Sequence, residues 1–413
     1  MNKKHIAVLS TLYYPDMGAP SACIDKYVRA LGDDYLFYII TRTDCVDFEP
    51  CNDYDIRYIT SFRHRLTLKC RENVKRGHKA FLNKLVLGFI NICKLIQTQY
   101  TFPSAQRWEV NQYAKQLEKL HSEVGIDVIF AVSNTAFPQL AALRFKKKHP
   151  NVKWLSFFYD PYSENYIYYK YKLFKRFWKH LNIKKEWEIY DKADFCLMTS
   201  ELYKFVPTAF QVDKNKIFEL LFPLNNLRIN STNNQMERHN ECLLIFAGMF
   251  YKIIRNPEYM LSILSQVNSI SFDMYVGKGE CEDLINKYNK GNIHREEFVN
   301  HDRYVEMICN DYDVLVNVGN VSTLQAPSKM LELLSTGKPI LNFYFTKDSQ
   351  YEMIEKYPLG LNIGYQEVGA IEKVEQFCHE VKGKAIPYEE VEQLFPENKL
   401  ETQVKLLKQL IEA

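Results

Sequence analysis

The sequence has little of several features that would point at once to a particular class of protein. Its net charge is only +3 over 413 residues, so its overall electrostatics do not indicate a nucleic-acid binder. The ten cysteines are scattered without a CxxC pair, which argues against a disulfide or zinc framework and favours reduced thiols. The motifs GxGxxG, HExxH and GxSxG are also missing, so there is no dinucleotide fingerprint, zinc-protease helix or nucleophile elbow.

A long uninterrupted hydrophobic run is missing as well. The longest apolar stretch, FLNKLVLGFINICKLI (81–96), is interrupted by Lys84, Asn91 and Lys94 and is shorter than the roughly 20 residues that a spanning helix needs. The N-terminal segment MNKKHIAVLSTLYYP has basic residues before a short apolar run but no small-residue cleavage site. It therefore predicts a first strand rather than a signal peptide. We expect a cytoplasmic protein.

The sequence does contain strand-like runs that alternate with helical patterns, in two successive series. The first series of predicted strands comprises 5–11, 36–41, 127–133, 152–159, 194–200 and 216–222. The second comprises 241–248, 270–277, 292–299, 312–319 and 338–344. Most are continuous apolar runs, as expected for strands buried on both faces of a parallel sheet. The chain length and this alternation predict two doubly wound α/β domains.

Changes in composition suggest where these domains begin and end. We predict an N-terminal domain over 1–224, a polar linker over 225–240, a C-terminal domain over 241–395, and an amphipathic helix over 396–413 that packs back on the first domain. Ligands of doubly wound sheets bind at the carboxyl ends of the strands. We therefore expect the site in a cleft between the domains, on the loops that follow the strands.

The segment VSTLQAPSKMLELLSTGKPI contains a helix with polar residues in its first turns. Pro327 suits the first helical position and Gly337 suits the helix end. Backbone N–H groups around 325–328 would then form an anion site, with Lys329 adding charge and Glu332 able to accept hydrogen bonds from a sugar hydroxyl. A capped helix with solvated charges is the alternative. The Gly-Lys pair here closes a helix, so it is not a phosphate-binding P-loop.

The segment FAGMFYKIIRNPEYML (246–261) places cations after a strand that ends at Gly248. Lys252 and Arg255 could clamp a diphosphate, the arginine with two parallel hydrogen bonds. A solvated basic loop is the alternative. Two Asp-x-Asp triplets, at 53–55 and 311–313, are interpreted as surface carboxylates, and no metal site is predicted.

A basic and aromatic tract, NYIYYKYKLFKRFWKHLNIKK (165–185), contains seven Lys or Arg, seven aromatic residues and no acid. Residues 61–100 add nine Lys or Arg against one Glu. These segments could place the N-terminal domain on an anionic membrane surface, bind single-stranded nucleic acid, or pack within their own domain. We favour the membrane surface over nucleic acid because the tract lies inside an α/β chain of enzyme-like organisation.

Taken in order, the segments YYPDMGAPS, GMFYKIIRNP, VGKGE and NVGNVSTLQAPSKMLELLSTGKPI resemble the retaining glycosyltransferases of family 4. The resemblance covers most of the chain and is strongest over 241–345. It implies a GT-B fold of two Rossmann-like domains facing a cleft, a nucleotide-sugar donor such as a UDP- or GDP-sugar, and no metal or other cofactor. Within the family the chain is similar to bacterial enzymes that build capsule, O-antigen or exopolysaccharide. Such enzymes imply an undecaprenyl-diphosphate-linked saccharide acceptor and a peripheral location on the inner face of the cell membrane.

The resemblance also implies roles for individual residues. Arg255, with Lys252 as a helper, matches the phosphate-binding cations, and Asp160 falls near the transferred sugar, so these three are the candidate catalytic residues. Glu332 matches the second glutamate of a Glu-x7-Glu motif and would hold the ribose. The other candidates for nucleotide-sugar binding are Gly18, Ala19, Gly248, Thr323, Leu324, Gln325, Ala326, Ser328 and Lys329. Phe298 and Val299 are the candidates for the nucleobase.

Two positions depart from the family pattern. Leu324 stands where the first glutamate of the motif is expected, and Met249 stands in place of an arginine after Gly248. A non-catalytic partner of a true transferase is therefore an alternative. A nucleotide-sugar 2-epimerase on the same scaffold is a second one, although it would need carboxylate and histidine groups around the hexose.

Overall fold

The computed structural model describes residues 3–15, 17–43, 51, 53–59, 62–102, 107–133, 136–165, 168–169, 172–227, 241–321, 324 and 329–413. The chain divides into two compact units, Met1–Leu221 with Gln403–Ala413, and Phe222–Thr402. Of the predicted linker, residues 228–240 lie outside the described part of the chain.

The first unit is built around a parallel sheet of seven described strands, in the order β3-β2-β1-β4-β5-β6-β7. The strands are β1 His5–Leu12, β2 Leu36–Arg42, β3 Asp55–Ile59, β4 Val128–Ser133, β5 Lys153–Phe158, β6 Phe195–Met198 and β7 Ile217–Glu219. The helices are α1 Ala19–Leu31, α2 Phe62–Lys75, α3 Ala80–Tyr100, α4 Arg107–Val124, α5 Ala136–Lys148, α6 Lys175–Lys192 and α7 Ser200–Phe210. The central strands β1 and β5 are buried along nearly their whole length, as continuous apolar runs require.

The second unit repeats this plan with six described strands in the order β10-β9-β8-β11-β12-β13, all parallel. The strands are β8 Cys242–Gly248, β9 Ile270–Val276, β10 Ile293–Glu296, β11 Val314–Val318, β12 Ile340–Tyr344 and β13 Gly360–Gly364. The helices are α8 Glu258–Leu264, α9 Glu282–Tyr288, α10 His301–Asn310, α11 Lys329–Leu334, α12 Ser349–Lys356, α13 Ala370–Val381 and α14 Tyr388–Leu394. The predicted α/β class, with two doubly wound parallel sheets, is confirmed.

The last helix, α15 (Leu400–Glu412), lies against the first sheet over its C-terminal part. Its Leu407 and Ile411 line a small apolar cavity together with Ile6 of β1 and Tyr27 of α1. The Lys4 ammonium donates to the carbonyl of Ile411 at 3.0 Å, which ties the end of the helix to the first strand.

A ladder of side-chain amides crosses the second sheet, with Asn317 and Asn342 buried and Asn362 half-buried. Asn317 Nδ2 donates to Asn342 Oδ1 at 2.8 Å, and Asn342 Nδ2 donates to Asn362 Oδ1 at 2.7 Å. These residues are direct neighbours in the register of β11, β12 and β13. Because a slip by one residue would leave buried amides unpaired, the ladder fixes the register of the three strands.

The sharp end of α11 depends on Gly337. Its φ of +67° lies in the left-handed region, and a Cβ there would lie 2.0 Å from the carbonyl oxygen of Ile386. The Gly337 N–H donates to Leu334 O at 3.0 Å, and its own carbonyl accepts from Ile386 N at 2.9 Å. The glycine therefore both ends the helix and lets the segment before α14 approach closely.

The expectation that the longest apolar stretch is shorter than a spanning helix is wrong. The apolar stretch at 81–96 lies within α3, a helix of 21 residues that, by length and composition alone, is sufficient to cross a membrane. Flanking residues such as Gln97, Thr98 and Gln99 have no strong helix-breaking character, so the helix continues to Tyr100.

Candidate functional site

The central strands of the second sheet meet at a topological switch point. Connections run outward in opposite directions from β8 and β11, which are neighbours. In doubly wound sheets this arrangement opens a crevice at the carboxyl ends of the two strands. The loops after Gly248 and Val318 therefore lie where a ligand of this unit would bind.

Arg255 is held in the loop after β8. Backbone hydrogen bonds in both directions between Tyr251 and Arg255, of 3.1 and 3.0 Å, close this loop into a tight turn. The Arg255 Nε donates to Asn320 Oδ1, just after β11, at 3.0 Å. That bond fixes the guanidinium plane across the switch point. Burial lowers the pKa of Arg255, but a guanidinium keeps its charge in proteins.

Lys329, the first residue of α11, points back to the end of β8. Its Nζ donates to Ala247 O at 2.6 Å and lies 4.9 Å from the centre of the Tyr304 ring. Burial lowers the pKa of Lys329, the Glu332 carboxylate partly offsets this, and the nearby charge of Arg255 lowers it further. Lys329 thus lies beside Gly248, where a Cβ would come within 3.7 Å of its Nζ, and it is near enough to Arg255 for that charge to act on it.

Glu332 lies one turn further along α11. Its side chain is buried apart from a small fraction, and its Oε1 is 3.5 Å from His301 Nε2 at the start of α10. Burial raises the pKa of Tyr304, and the Glu332 charge raises it further. Glu332, Lys329 and Tyr304 therefore form one cluster of opposite charges and a neutral phenol.

Phe298 and Val299 do not belong to a strand. The strand predicted over 292–299 ends at Glu296, because the chain turns to begin α10 with Asn300 as its cap, accepting from Arg303 N at 2.9 Å. The Phe298 ring is 70% exposed in this loop. His301 follows three residues later and reaches Glu332, so the loop that carries Phe298 leads into the helix that contacts this carboxylate.

Within the described part of the chain, Lys252 has no contact with this cluster that would test its predicted role, which stays a prediction. It is exposed and lies on the side of the β9–α9 turn, where its charge partly offsets the effect of burial, which raises the pKa of Cys281. In that turn Gly277 leaves room for Met249, whose Sδ would be 3.0 Å from a Cβ at position 277. The glycines of VGKGE thus serve a strand-to-helix turn over which Met249 packs.

Several candidates of the loop before α11 cannot be placed. Thr323, Gln325, Ala326, Pro327 and Ser328 lie outside the described residues. Leu324 forms a turn and is half-buried. Their predicted contacts with phosphate and sugar stay predictions.

The remaining candidates belong to the first unit. Gly18 precedes α1 as its cap residue and Ala19 is the first residue of the helix. Asp160 follows β5 by two residues, and burial raises its pKa to about 6. The loop beyond it is held by the buried Glu186 of α6, which accepts from Tyr162 N at 3.1 Å and from Ser163 N at 2.9 Å.

The raised pKa of Asp160 predicts a pH-dependent stability. Its pKa in the folded chain lies above the unfolded value, so the folded state holds the proton more tightly. This contribution is complete below about pH 4 and is lost as the pH rises through about 6. The native protein should lose roughly 3 kcal/mol of folding stability between these pH values, and Asp160→Asn should abolish this loss. Urea unfolding of both proteins at several pH values measures it; parallel pH profiles would contradict the prediction.

Sequence reasoning missed three residues of this cluster. Asn320 follows β11 in the segment NVGNVS, and a polar residue just after a buried strand is a signal that could have identified it. Tyr304 and His301 carried no such signal, because their contacts depend on how α10 packs beside α11. Within the described residues no group of three or more His, Cys, Asp or Glu is placed to hold a metal ion.

Comparison with known proteins gives matches at the level of structure. No protein-family model and no curated protein matches the sequence. A glycosyltransferase from Rickettsia africae superposes with a TM-score of 0.62 at 13% identity, covering 100% of this chain and 98% of that one. HepE from Anabaena, in complex with UDP and glucose, gives 0.62 at 10% identity over 99% of each chain. WaaG, a glycosyltransferase involved in lipopolysaccharide biosynthesis, gives 0.60 at 11% identity over 98% of this chain and 99% of that one.

The same architecture also supports another activity. A UDP-N-acetylglucosamine 2-epimerase is similar with a TM-score of 0.53 at 13% identity, over 100% of this chain and 96% of that one. At such identities the likeness establishes the fold, and activity has to be argued from the site. The chain has the GT-B fold of these glycosyltransferases.

Proposed function

We propose that the protein is a glycosyltransferase that moves a hexose-type sugar from a nucleotide-diphosphate sugar to a lipid-linked or saccharide acceptor. The observation that carries the proposal is the convergence of Arg255, Lys329 and Glu332 at the switch point of the second sheet. Two cations lie near each other, and the Glu332 carboxylate lies one helical turn from Lys329. A nucleoside diphosphate presents the complementary pattern of charged phosphates and ribose hydroxyls.

The same residues suit the chemistry of sugar transfer. Breaking the sugar–phosphate bond builds positive charge on the sugar and negative charge on the leaving diphosphate. Arg255, oriented by Asn320, and Lys329 would stabilise that negative charge as it develops, which a pre-arranged site does most effectively. We propose that these cations make transfer independent of a metal, and that the reaction retains the configuration of the sugar, as in family 4.

The nucleoside would be held by Glu332 and Phe298. A buried carboxylate accepts strong hydrogen bonds from ribose hydroxyls, and an exposed aromatic ring offers a stacking surface to a base. UDP is the first nucleotide to test, because the structure of HepE holds UDP and glucose.

Replacing Glu332 tests the ribose contact. We expect Glu332→Ala to lower the affinity for the donor by roughly 10- to 100-fold, the value of one or two hydrogen bonds to a charged group. Glu332→Gln should recover part of this loss because the amide oxygen still accepts. Donor affinity is measured by titration with UDP-, GDP- and dTDP-sugars.

Glu306→Ala is the matched control for that titration. It removes an exposed carboxylate of α10 that pairs with Arg303. If Glu332→Ala and Glu306→Ala bound the donor equally well, Glu332 would not hold the ribose.

The acceptor and the location are part of the proposal. We propose an undecaprenyl-diphosphate-linked saccharide, used in surface polysaccharide synthesis at the cytoplasmic face of the cell membrane. The basic and aromatic tract supports this location. Its described part, residues 172–185, leads into α6 and carries six Lys or Arg. WaaG, of the same fold, acts in lipopolysaccharide biosynthesis.

A non-catalytic partner of another transferase is the second candidate function. It is favoured by Leu324, an apolar residue where the family places a carboxylate, and by Met249, which packs on Gly277 instead of offering a charge. A screen of nucleotide sugars separates the candidates. A transferase or hydrolase releases nucleoside diphosphate from one donor, an epimerase converts one donor into another without releasing it, and a partner does neither.

A further inference from the structure

The helix α3 turns its apolar side to solvent rather than to the protein. Phe81, Leu85, Phe89, Ile92 and Ile96 follow one another at spacings of four and three, so they form one stripe along the helix. Their side chains are 55–76% exposed. Leu82, Leu95 and Tyr100 border the stripe and are 52–79% exposed.

The opposite side of α3 is the one that meets the protein. Ile90 is its buried residue, and α2 packs along the helix. An amphipathic helix of a soluble domain normally buries its apolar stripe. In α3 this arrangement is reversed, so the stripe needs a partner outside the described unit.

The apolar surface continues from α3 to the start of α6. Leu173 N donates to Gln99 Oε1 at 2.8 Å, and Lys172 Nζ donates to Thr101 O at 2.8 Å. These bonds place the exposed side chains of Leu173 and Phe174, at 68% and 81%, beside the end of α3. We call the stripe of α3 together with Leu173, Phe174 and Phe177 the apolar surface of the first unit.

The described charges around this surface are predominantly positive. Between residues 62 and 102 there are nine Lys or Arg and a single acid, Glu72, which is already paired with Arg76 at 2.5 Å. Lys175 and Arg176 add two exposed cations at the start of α6. A rim of cations around exposed apolar side chains matches the anionic headgroups and acyl chains of a bilayer. A second copy of the chain would bring the same positive rim against itself.

The contacts of α3 decide between lying on the membrane and crossing it. Arg63 Nη1 donates to Gln97 Oε1 at 2.6 Å, so the helix is fastened to α2 as well as to the start of α6. Lys84 and Lys94 lie within the helix, and a spanning arrangement would take both, together with the protein-facing side, into hydrocarbon, which is unfavourable for charged groups. These contacts fit a helix in the plane of the interface.

We propose that α3 inserts its apolar stripe into the interface of an anionic bilayer, lying in the membrane plane, with the surrounding cations on the headgroups. This proposal specifies how the protein would bind the membrane that the proposed function assigns to it, and its biological role rests on that function. The binding itself depends on neither the donor nor the acceptor.

Vesicle co-sedimentation of the full chain tests the insertion. We expect the protein to bind vesicles containing phosphatidylglycerol, and Phe89→Ser with Ile96→Ser to weaken binding about 30-fold without changing the charge. Val368→Ser is the matched control, because it alters a 93%-exposed apolar side chain of the second unit. Unchanged binding by the double variant, or no binding by the native chain, would overturn the proposal.

Three further readouts exclude the other occupants. Phe89→Trp should be quenched by brominated lipids, whereas Val368→Trp should not; equal quenching would refute insertion at α3. Alkaline extraction of membranes should release the protein, and retention in the pellet would show a spanning helix instead. A dimer that dissociates in the double variant, without lipid binding, would identify a second copy as the partner.

Donor turnover with water or a soluble acceptor, measured on the same variants, keeps this proposal separate from the proposed function. Normal turnover together with weakened vesicle binding in the double variant supports both the enzyme and the membrane insertion. If neither the native chain nor any variant turned over a donor, but the native chain still bound vesicles, only the proposed enzyme activity would be rejected.

Discussion

Replacing Arg255 with alanine should reduce kcat/KM for the nucleotide-sugar donor by about 10²–10³-fold, the usual effect of removing one donor that stabilises developing charge. The guanidinium is fixed by Asn320 and lies close enough to Lys329 for its charge to lower the pKa of that lysine. Its removal would leave the diphosphate with one cation at the switch point. Steady-state release of nucleoside diphosphate measures the effect.

Two controls make this result specific. Arg255→Lys keeps the charge but loses the planar pair of donors, so it should recover only part of the activity. Arg303→Ala removes an exposed arginine that pairs with Glu306 and Asp311 and should leave the rate within twofold or so. Equal rates for Arg255→Ala and Arg303→Ala would show that Arg255 does not take part in catalysis.

The second large effect concerns stability. Gly337→Ala should destabilise the second unit by about 3–5 kcal/mol, because it combines a left-handed conformation with overpacking against the backbone. The new Cβ would lie 2.0 Å from Ile386 O, so the segment before α14 or the end of α11 must shift. As α11 carries Lys329 and Glu332, donor binding should weaken too.

Gly291→Ala provides the matched control for Gly337→Ala. Gly291 also has a positive φ, of +64°, but a Cβ there would meet nothing within 4 Å. Gly291→Ala should therefore lower the free energy of unfolding by only about 1–2 kcal/mol, from the left-handed backbone conformation alone. Hydrogen exchange of the strands β11 and β12 reports on this unit separately, and equal losses for the two variants would contradict the close packing at Gly337.

The fold was predictable because central strands of parallel sheets are continuous apolar runs. β1, β5, β8 and β11 were recognised for that reason. Of the four described edge strands, β3 and β13 were missed, since DIRYI and GLNIG mix polar residues or glycine with apolar ones. An edge strand faces another sheet strand on one side only, so its pattern is weaker.

Candidate site residues could be singled out from the sequence where local spacing decides their position. Lys329 and Glu332 are three residues apart on one helix, and Arg255 follows a strand end, so each could be singled out from its neighbours in sequence. Asn320, Tyr304 and His301 join them through contacts that depend on tertiary packing. The exposure of α3 lies beyond sequence reasoning for the same reason, because an identical apolar stripe is buried in most soluble proteins.

The most direct test of the account is calorimetric titration of the native chain with UDP, GDP and dTDP, each compared with its nucleoside. The account predicts that one diphosphate binds, that its nucleoside binds at least about 100-fold more weakly because the cations contact the phosphates, and that Arg255→Ala removes this difference. Equal binding of diphosphate and nucleoside, or a difference that persists in Arg255→Ala, would contradict a nucleotide-diphosphate site at the switch point of the second unit.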